Sequence, residues 1–332
     1  MTAMMKRWTL TTIIAVLMVF TAACGTNNDQ PVNDTSNQET DTAEDSNQPQ
    51  SDGTFPVTVV DGTGEEITIE DEPETIISVI PSNTEITYAI GQGEKLIAVD
   101  NYSNYPEETA ELEKIGDQQL DVEKILALQP DLALVTEYQH ENNPDILNQF
   151  KENGTDVVVI NSAESFDQVY ASINLIGKVT GAAEEAQNVV QEMQDRLEVV
   201  KEKASRIEEP KRVWVEVSPA PDIFTPGQNT FMHEMLESIH AVNTAGDQTG
   251  WVKMTEEEIV TLNPDVIITT YGYYVDNPAE GVLSREGWTE VPAIKNEQVY
   301  DVNNDTVTRP GPRLIDGVET LAELIYPDVF KN

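Results

Sequence analysis

The chain has a single cysteine, Cys24, among 332 residues, so no disulfide framework can hold it together and no further thiol can serve as a nucleophile. Histidine is nearly as scarce: His140 stands alone, and His233 and His240 sit seven apart on one expected helix, with no third partner for a bare zinc or manganese ion. Basic residues number 19 against 60 acidic ones, for a formal net charge of −41. A nucleic acid would be repelled by that balance. The acidic excess suits either a cation-binding surface or a solvated surface adapted to saline or alkaline surroundings. Signatures of catalysis are missing too, with no nucleophile elbow, no HExxH and no P-loop. "DGTG" at 61–64 and "GQG" at 91–93 read as turns, because neither opens a helix after a strand. The expectation is a protein that is not an enzyme, with no catalytic residue, no resident metal and no cofactor.

The N-terminus has Lys6 and Arg7, an apolar run from Leu10 to Phe20, and the small residues Ala22 and Ala23 before Cys24. This is the layout of a secretory signal, too short for a spanning helix. Residues 1–23 are therefore read as a lipoprotein signal peptide and Cys24 as the lipid-bearing first residue of the mature chain. The stretch resembles the bacterial lipobox, with Thr21 where that pattern usually has an aliphatic residue. From Gly25 to Thr54 the chain is polar and contains no Lys or Arg. Such a segment buries too little apolar surface to offset its ordering entropy, so residues 24–54 are expected to form a disordered acidic spacer. The protein is then extracytoplasmic, tethered by lipid to the outer face of the cell membrane.

The remaining length suits two domains of about 100 to 150 residues. From Thr75, "TIISVI", "KLIAVD", "DLALVT" and "DVVVI" read as strands, with helices expected over Thr84–Ile90, around 122–128 and over 144–153. "RVWVEVS", "DVIITT" and "QVYDV" repeat the pattern later, with a helix over Asn229–Ile239. Strands alternating with helices imply mostly parallel sheets. Ala182–Glu208 has no Gly or Pro, and its apolar residues recur every three or four positions: Ala186, Val189, Val190, Met193, Leu197, Val200, Ala204 and Ile207. That predicts one amphipathic helix about 40 Å long. The expected fold is α/β: an N-terminal lobe at 55–165, a helical connector at 166–209 with the long bridging helix, and a C-terminal lobe at 210–332.

"VEKILALQPDLALVT" at 122–136 recurs almost position for position as "EEEIVTLNPDVIITT" at 256–270, placing Glu123 opposite Glu257 and Asp131 opposite Asp265. The spacing is too long for a solenoid and suits two similar domains. Asp121 and Thr255 are good N-caps, and Thr255 with Glu258 fits a capping box. Glu123 and Glu257 fall in the first turn, where the helix dipole favours negative charge. They read either as helix-start residues or as one exposed carboxylate per lobe, a two-point surface for a partner with paired arginines.

"PSNTEITYAIG", "VEKILALQPDLALV", "EEEIVTLNPDVIITT", "WTEVPAIKNEQVYDV" and "RPGPRLIDGVETLAELIYP", in this order, resemble the substrate-binding proteins of the iron-chelate and cobalamin ABC importers. The resemblance runs from about Thr75 to the end. It implies two α/β lobes bridged by one long helix, a ligand held between them, and Glu123 and Glu257 docked into arginine pockets of the importer's membrane subunits. The expected protein is a monomer whose partners are those subunits, a small metal chelate or corrinoid, and the membrane through the lipid anchor.

In open α/β sheets ligands bind beyond the carboxyl ends of the strands. The loops there are Pro81–Asn83, Asn101–Tyr105 and Glu137–His140 in the first lobe, and Pro219–Thr230, Tyr271–Tyr274 and Asn303–Arg313 in the second. They carry many aromatics, which suits a flat, partly apolar ligand. The expected ligand residues are Tyr102, Phe224, Trp251, Tyr271, Tyr273 and Arg309. Tyr102, Phe224 and Trp251 match ligand-facing positions of the cobalamin-binding members. Their first-lobe tryptophan is missing here, with Asp117, Gln118 and Gln119 near that place. Arg309 could meet an anionic ligand group with its planar donor fork. Arg313, which begins the last helix, reads as structural, and Trp214 as core. The expected ligand is a corrinoid in preference to a ferric siderophore; bare zinc, bare manganese and haem are the alternatives.

Overall fold

The computed structural model describes residues 54–331, which fall within one compact unit. The signal, Cys24 and most of the expected spacer lie outside the described residues.

The first lobe is built on a five-stranded, all-parallel sheet. Its strands run Glu113–Lys114, Leu96–Val99, Ile76–Ser78, Leu132–Thr136 and Asp156–Ile160 in spatial order. Alternate residues serve opposite faces, and both faces are covered. Ile76, Leu132, Leu134, Val158 and Ile160 enter one core, while Ile77, Ala133, Val135, Val157 and Val159 enter a second. This explains why these strands are nearly continuous apolar runs. The helix after the first strand spans Pro81–Ala89, so it begins at Pro81 and not at Thr84. Proline is suited to a first helical position, since its fixed φ fits and its missing N–H is not needed there.

Glu137–His140, expected as a loop, lies in the helix Glu137–Asn142, whose start is fixed by a capping box between Thr136 and Gln139. An unexpected hairpin, Val57–Val60 with Glu66–Ile69, precedes the sheet. "DGTG" is its turn, held to the sheet where Gly62 N–H donates to the Val159 carbonyl at 2.7 Å and Val159 N–H to the Asp61 carboxylate at 3.1 Å.

The second lobe has a four-stranded parallel sheet, ordered Val242–Asn243, Arg212–Glu216, Val266–Thr269, Val299–Asp301. Val213, Val215, Val266 and Ile268 face the core shared with the first lobe; Trp214 and Ile267 face a separate cluster with Trp288. A short antiparallel ribbon, Phe224–Pro226 with Trp251–Lys253, stands apart from this sheet.

Two helices connect the lobes. Phe166–Thr180 ends at Gly181, whose φ of 82° is readily tolerated without a side chain, and Ala183–Ala204 follows. The second buries Ala186, Val190, Met193, Leu197, Val200 and Ala204, the face its sequence periodicity marks out. At 22 residues it is about 33 Å long, shorter than expected, because the chain leaves the helix at Ser205. Arg196 fastens it to the helix Leu314–Ile325 by donating to Asp316 at 2.6 Å and to Glu319 at 2.6 and 3.0 Å. The residues buried along this helix belong to the same core as the inner faces of both sheets. The architecture is two α/β lobes on parallel sheets, bridged by one long helix.

Among the described residues, no helix is long and apolar enough to cross a membrane.

Candidate functional site

The repeated segments fold alike. Helices Val122–Leu128 and Glu256–Leu262 are capped by Asp121, which accepts from Lys124 N–H, and by Thr255 with Glu258. Each ends in a left-handed residue, Gln129 or Asn263. Glu123 and Glu257 are both exposed and take no part in these caps, so the capping groups leave both carboxylates free of that task.

The loop bearing Tyr102 rests on Asp100, which is buried at the end of its strand. The Tyr102 N–H donates to the Asp100 carboxylate at 2.7 Å, and the Ser103 hydroxyl donates to the same group. Lys114 donates to the Ser103 carbonyl at 2.8 Å; burial pulls its pKa below the usual lysine value, only partly offset by the charge of Asp100. This scaffold leaves the Tyr102 ring 65 % exposed.

In the second lobe Trp251 lies opposite Pro226 in the antiparallel ribbon and meets the ring of Phe231 edge to face, with centroids 6.4 Å apart. It is 46 % exposed and Phe224, in the paired strand, 39 %. Tyr273 is 73 % exposed and packs edge to face with Tyr274 at 4.7 Å. Tyr102, Phe224, Trp251 and Tyr273 are thus large apolar groups held open to solvent on segments that follow strands of the two sheets.

Tyr271 is placed differently. It is 2 % exposed, and its hydroxyl donates to Glu216 at 3.0 Å, so it lies in the core and not on the solvent-open surface expected of a ligand contact. Burial, with the charge of Glu216 next, pushes its pKa well above the ordinary phenol value. Glu216 is fully buried near the end of its strand and is satisfied by Trp214 Nε1–H at 3.0 Å and by both terminal nitrogens of Arg285, at 2.6 and 2.8 Å. The sequence signal for this network is an acidic residue closing the apolar stretch of the strand "RVWVE", which burial tolerates only when paired.

Arg309 does not stand free for an anionic ligand. It donates to Glu85 at 2.9 Å and Asn104 Oδ1 at 2.7 Å, and pairs with Asp305 at 2.8 Å. Arg313 donates to the same Glu85 carboxylate at 2.8 and 2.6 Å and lies over the Tyr105 ring at 3.9 Å. Glu85 belongs to the first lobe and both arginines to the second. Arg309, like Arg313, is therefore taken up by carboxylates of the protein itself. Glu85 lies within "PSNTEI", but a carboxylate one turn into a helix gives no local sign of a partner more than 200 residues away.

The histidines are dispersed. His233 Nδ1 is 3.1 Å from Asn243 Nδ2, and no group of three or more His, Cys, Asp or Glu side chains among the described residues could hold a metal ion. A cavity of about 870 Å³ lies between the connector helices and the helix Phe231–Ser238, and none of the exposed aromatics lines it.

Residues 76–306 match the periplasmic binding protein family. The chain belongs to that family. It is 46 % identical over 331 residues to an uncharacterized ABC transporter substrate-binding lipoprotein, YvrC, of Bacillus subtilis, covering 99 % of this chain and 100 % of the relative. It is 30 % identical over 248 residues to the vitamin B12-binding protein of Vibrio cholerae, covering 74 % and 87 %. A crystal structure of a possible iron-binding, periplasmic solute-binding protein from Staphylococcus epidermidis superposes with a TM-score of 0.69 at 34 % identity, covering 77 % of this chain and all of the other. The two-lobed architecture is that of the family.

Proposed function

We propose that this protein is the extracytoplasmic substrate-binding lipoprotein of an ABC importer. It captures a metal chelate, a corrinoid in preference to a ferric siderophore, between its lobes and hands it to the membrane permease. The observation that carries the reading is the exposure of Tyr102, Phe224, Trp251 and Tyr273 on segments that follow the strands. Exposed aromatics keep an apolar face wet until a large, flat ligand covers it. The ABC-transport lipoprotein name of one relative supports the transport role, and the vitamin B12-binding name of another supports the corrinoid cargo.

Glu123 and Glu257 are the proposed docking points. Each is exposed, near the start of an equivalent helix, one to a lobe. A permease that gripped both could draw the lobes apart and release the ligand. Cys24 is the proposed lipid attachment, and the protein acts as a monomer beside its permease.

The test is a tryptophan-fluorescence titration of the protein with cyanocobalamin, a panel of ferric siderophores and haemin. Trp214 and Trp288 are buried, so Trp251 is the exposed reporter among the described residues. Saturable quenching by cyanocobalamin alone supports the corrinoid reading. Quenching by one ferric chelate or by haemin moves the cargo to that class, and silence from every compound sinks the chelate reading.

A further inference from the structure

We propose that Glu85 is a positioning residue for the Tyr102 loop, acting through a two-arginine clasp across the lobe boundary. Glu85 is 3 % exposed on the helix Pro81–Ala89 of the first lobe. Its two oxygens accept three hydrogen bonds from the second lobe: one from Arg309 at 2.9 Å and two from Arg313 at 2.8 and 2.6 Å. Asp305 supports both guanidiniums from their own lobe, at 2.8 Å to Arg309 and 3.7 Å to Arg313. The cluster is charge-balanced, two arginines against two carboxylates, which is the condition under which such groups tolerate burial.

The clasp reaches the loop directly. Arg309, held by Glu85, also donates to Asn104 Oδ1 at 2.7 Å and to the Tyr102 carbonyl at 3.4 Å, while Arg313 lies 3.9 Å over the Tyr105 ring. Three residues of one first-lobe loop are therefore gripped by two second-lobe side chains. Asp100 fixes the base of that loop from within its own lobe, and the clasp fixes its tip from the other. With Glu85 removed, two cations would face Asp305 alone, and mutual repulsion would loosen their hold on Asn104 and Tyr105. That Tyr102 meets the ligand rests on the function proposed above; the coupling of this loop to Glu85 does not.

The experiment compares the full-length protein with Glu85→Gln, which keeps size but removes the charge, and with Arg309→Gln, which keeps the Glu85–Arg313 bond but cuts the tie to Asn104 and Tyr102. Amide hydrogen exchange is followed in peptides covering 101–105, 305–313 and the central strand 132–136. Both variants should exchange at least about tenfold faster in the first two peptides, with the strand unchanged. Cyanocobalamin affinity should fall by about tenfold in each. Unchanged exchange at 101–105 in both variants, or an equal acceleration in all three peptides, overturns the proposal. If the wild type binds no cyanocobalamin, the corrinoid reading fails, while the exchange data still decide the role of Glu85.

Discussion

Asp131 and Asp265 make the same bond in the two lobes. The Asp131 carboxylate accepts from the Thr75 N–H at 2.8 Å, and the Asp265 carboxylate accepts from the Arg212 N–H at 2.9 Å. Each aspartate follows the proline of its repeat and ties the start of its own strand to the start of the neighbouring central strand. The "PD" of the repeat thus has a structural cause, the tying of neighbouring strands, that requires no ligand.

Asp131→Asn should lower the unfolding free energy by about 1 kcal/mol at neutral pH, by weakening bonds to a largely exposed charged acceptor. Burial pushes the Asp131 carboxyl up, but the Thr75 hydroxyl and the amides of Thr75 and Glu74 outweigh it and hold the pKa below the ordinary 3.8. A group depressed on folding contributes fully above its unfolded value and loses that contribution as the pH falls through its folded one. The gap between wild type and variant should therefore narrow from pH 7 to pH 3 in urea unfolding. A constant gap would show that charge plays no part in these bonds.

Glu123→Ala and Glu257→Ala, singly and together, should leave ligand binding intact, because neither carboxylate lies in an aromatic loop or a helix cap. The double variant should abolish ligand uptake in cells. Transport at the wild-type rate by the double variant excludes these carboxylates as docking points.

How much of this was legible in the sequence depends on how local the cause is. The strands, the bridging helix and the paired caps follow from apolar runs, periodicity and residues within one turn, and all are present in the structure. Pro81 as a helix start was readable too, and was missed because "PSN" resembles a loop. The fates of Tyr271 and Arg309 were not readable. Both sit in loop sequences after strands, yet each is claimed by a carboxylate brought to it only by tertiary folding, Glu216 for one and Glu85 for the other. An aromatic or an arginine next to a binding site looks the same in sequence whether it faces the ligand or the protein.

Trp251→Ala should remove most of the ligand-dependent fluorescence change and weaken binding by about ten- to a hundredfold, the usual scale for losing an aromatic anchor. Stability should change by less than about 1 kcal/mol, since the ring is 46 % exposed and its ring contact is one edge-to-face packing with Phe231. Trp251→Phe should restore much of the affinity without the fluorescence signal. Isothermal titration separates the two effects; unaltered affinity in Trp251→Ala would remove this residue from the ligand surface.

Glu216→Ala should be far more destructive than any of these, because Glu216 is fully buried. Its carboxylate, fully buried, is the acceptor for Arg285, Trp214 and Tyr271 together. Burial alone would pull the Arg285 pKa down, and the two-point bond with Glu216 outweighs it and raises the value; without Glu216 that support is lost, but the ordinary value of an arginine is high enough that the guanidinium stays charged. A buried cation without its anion costs about 3 to 5 kcal/mol. Replacing both members, Glu216→Leu with Arg285→Met, should recover a good part of that loss, because no uncompensated charge remains. Urea unfolding of the single and double variants measures this. If the double variant is no more stable than Glu216→Ala, the cost lies in lost packing and in the unpaired Trp214 and Tyr271 donors, not in the stranded charge.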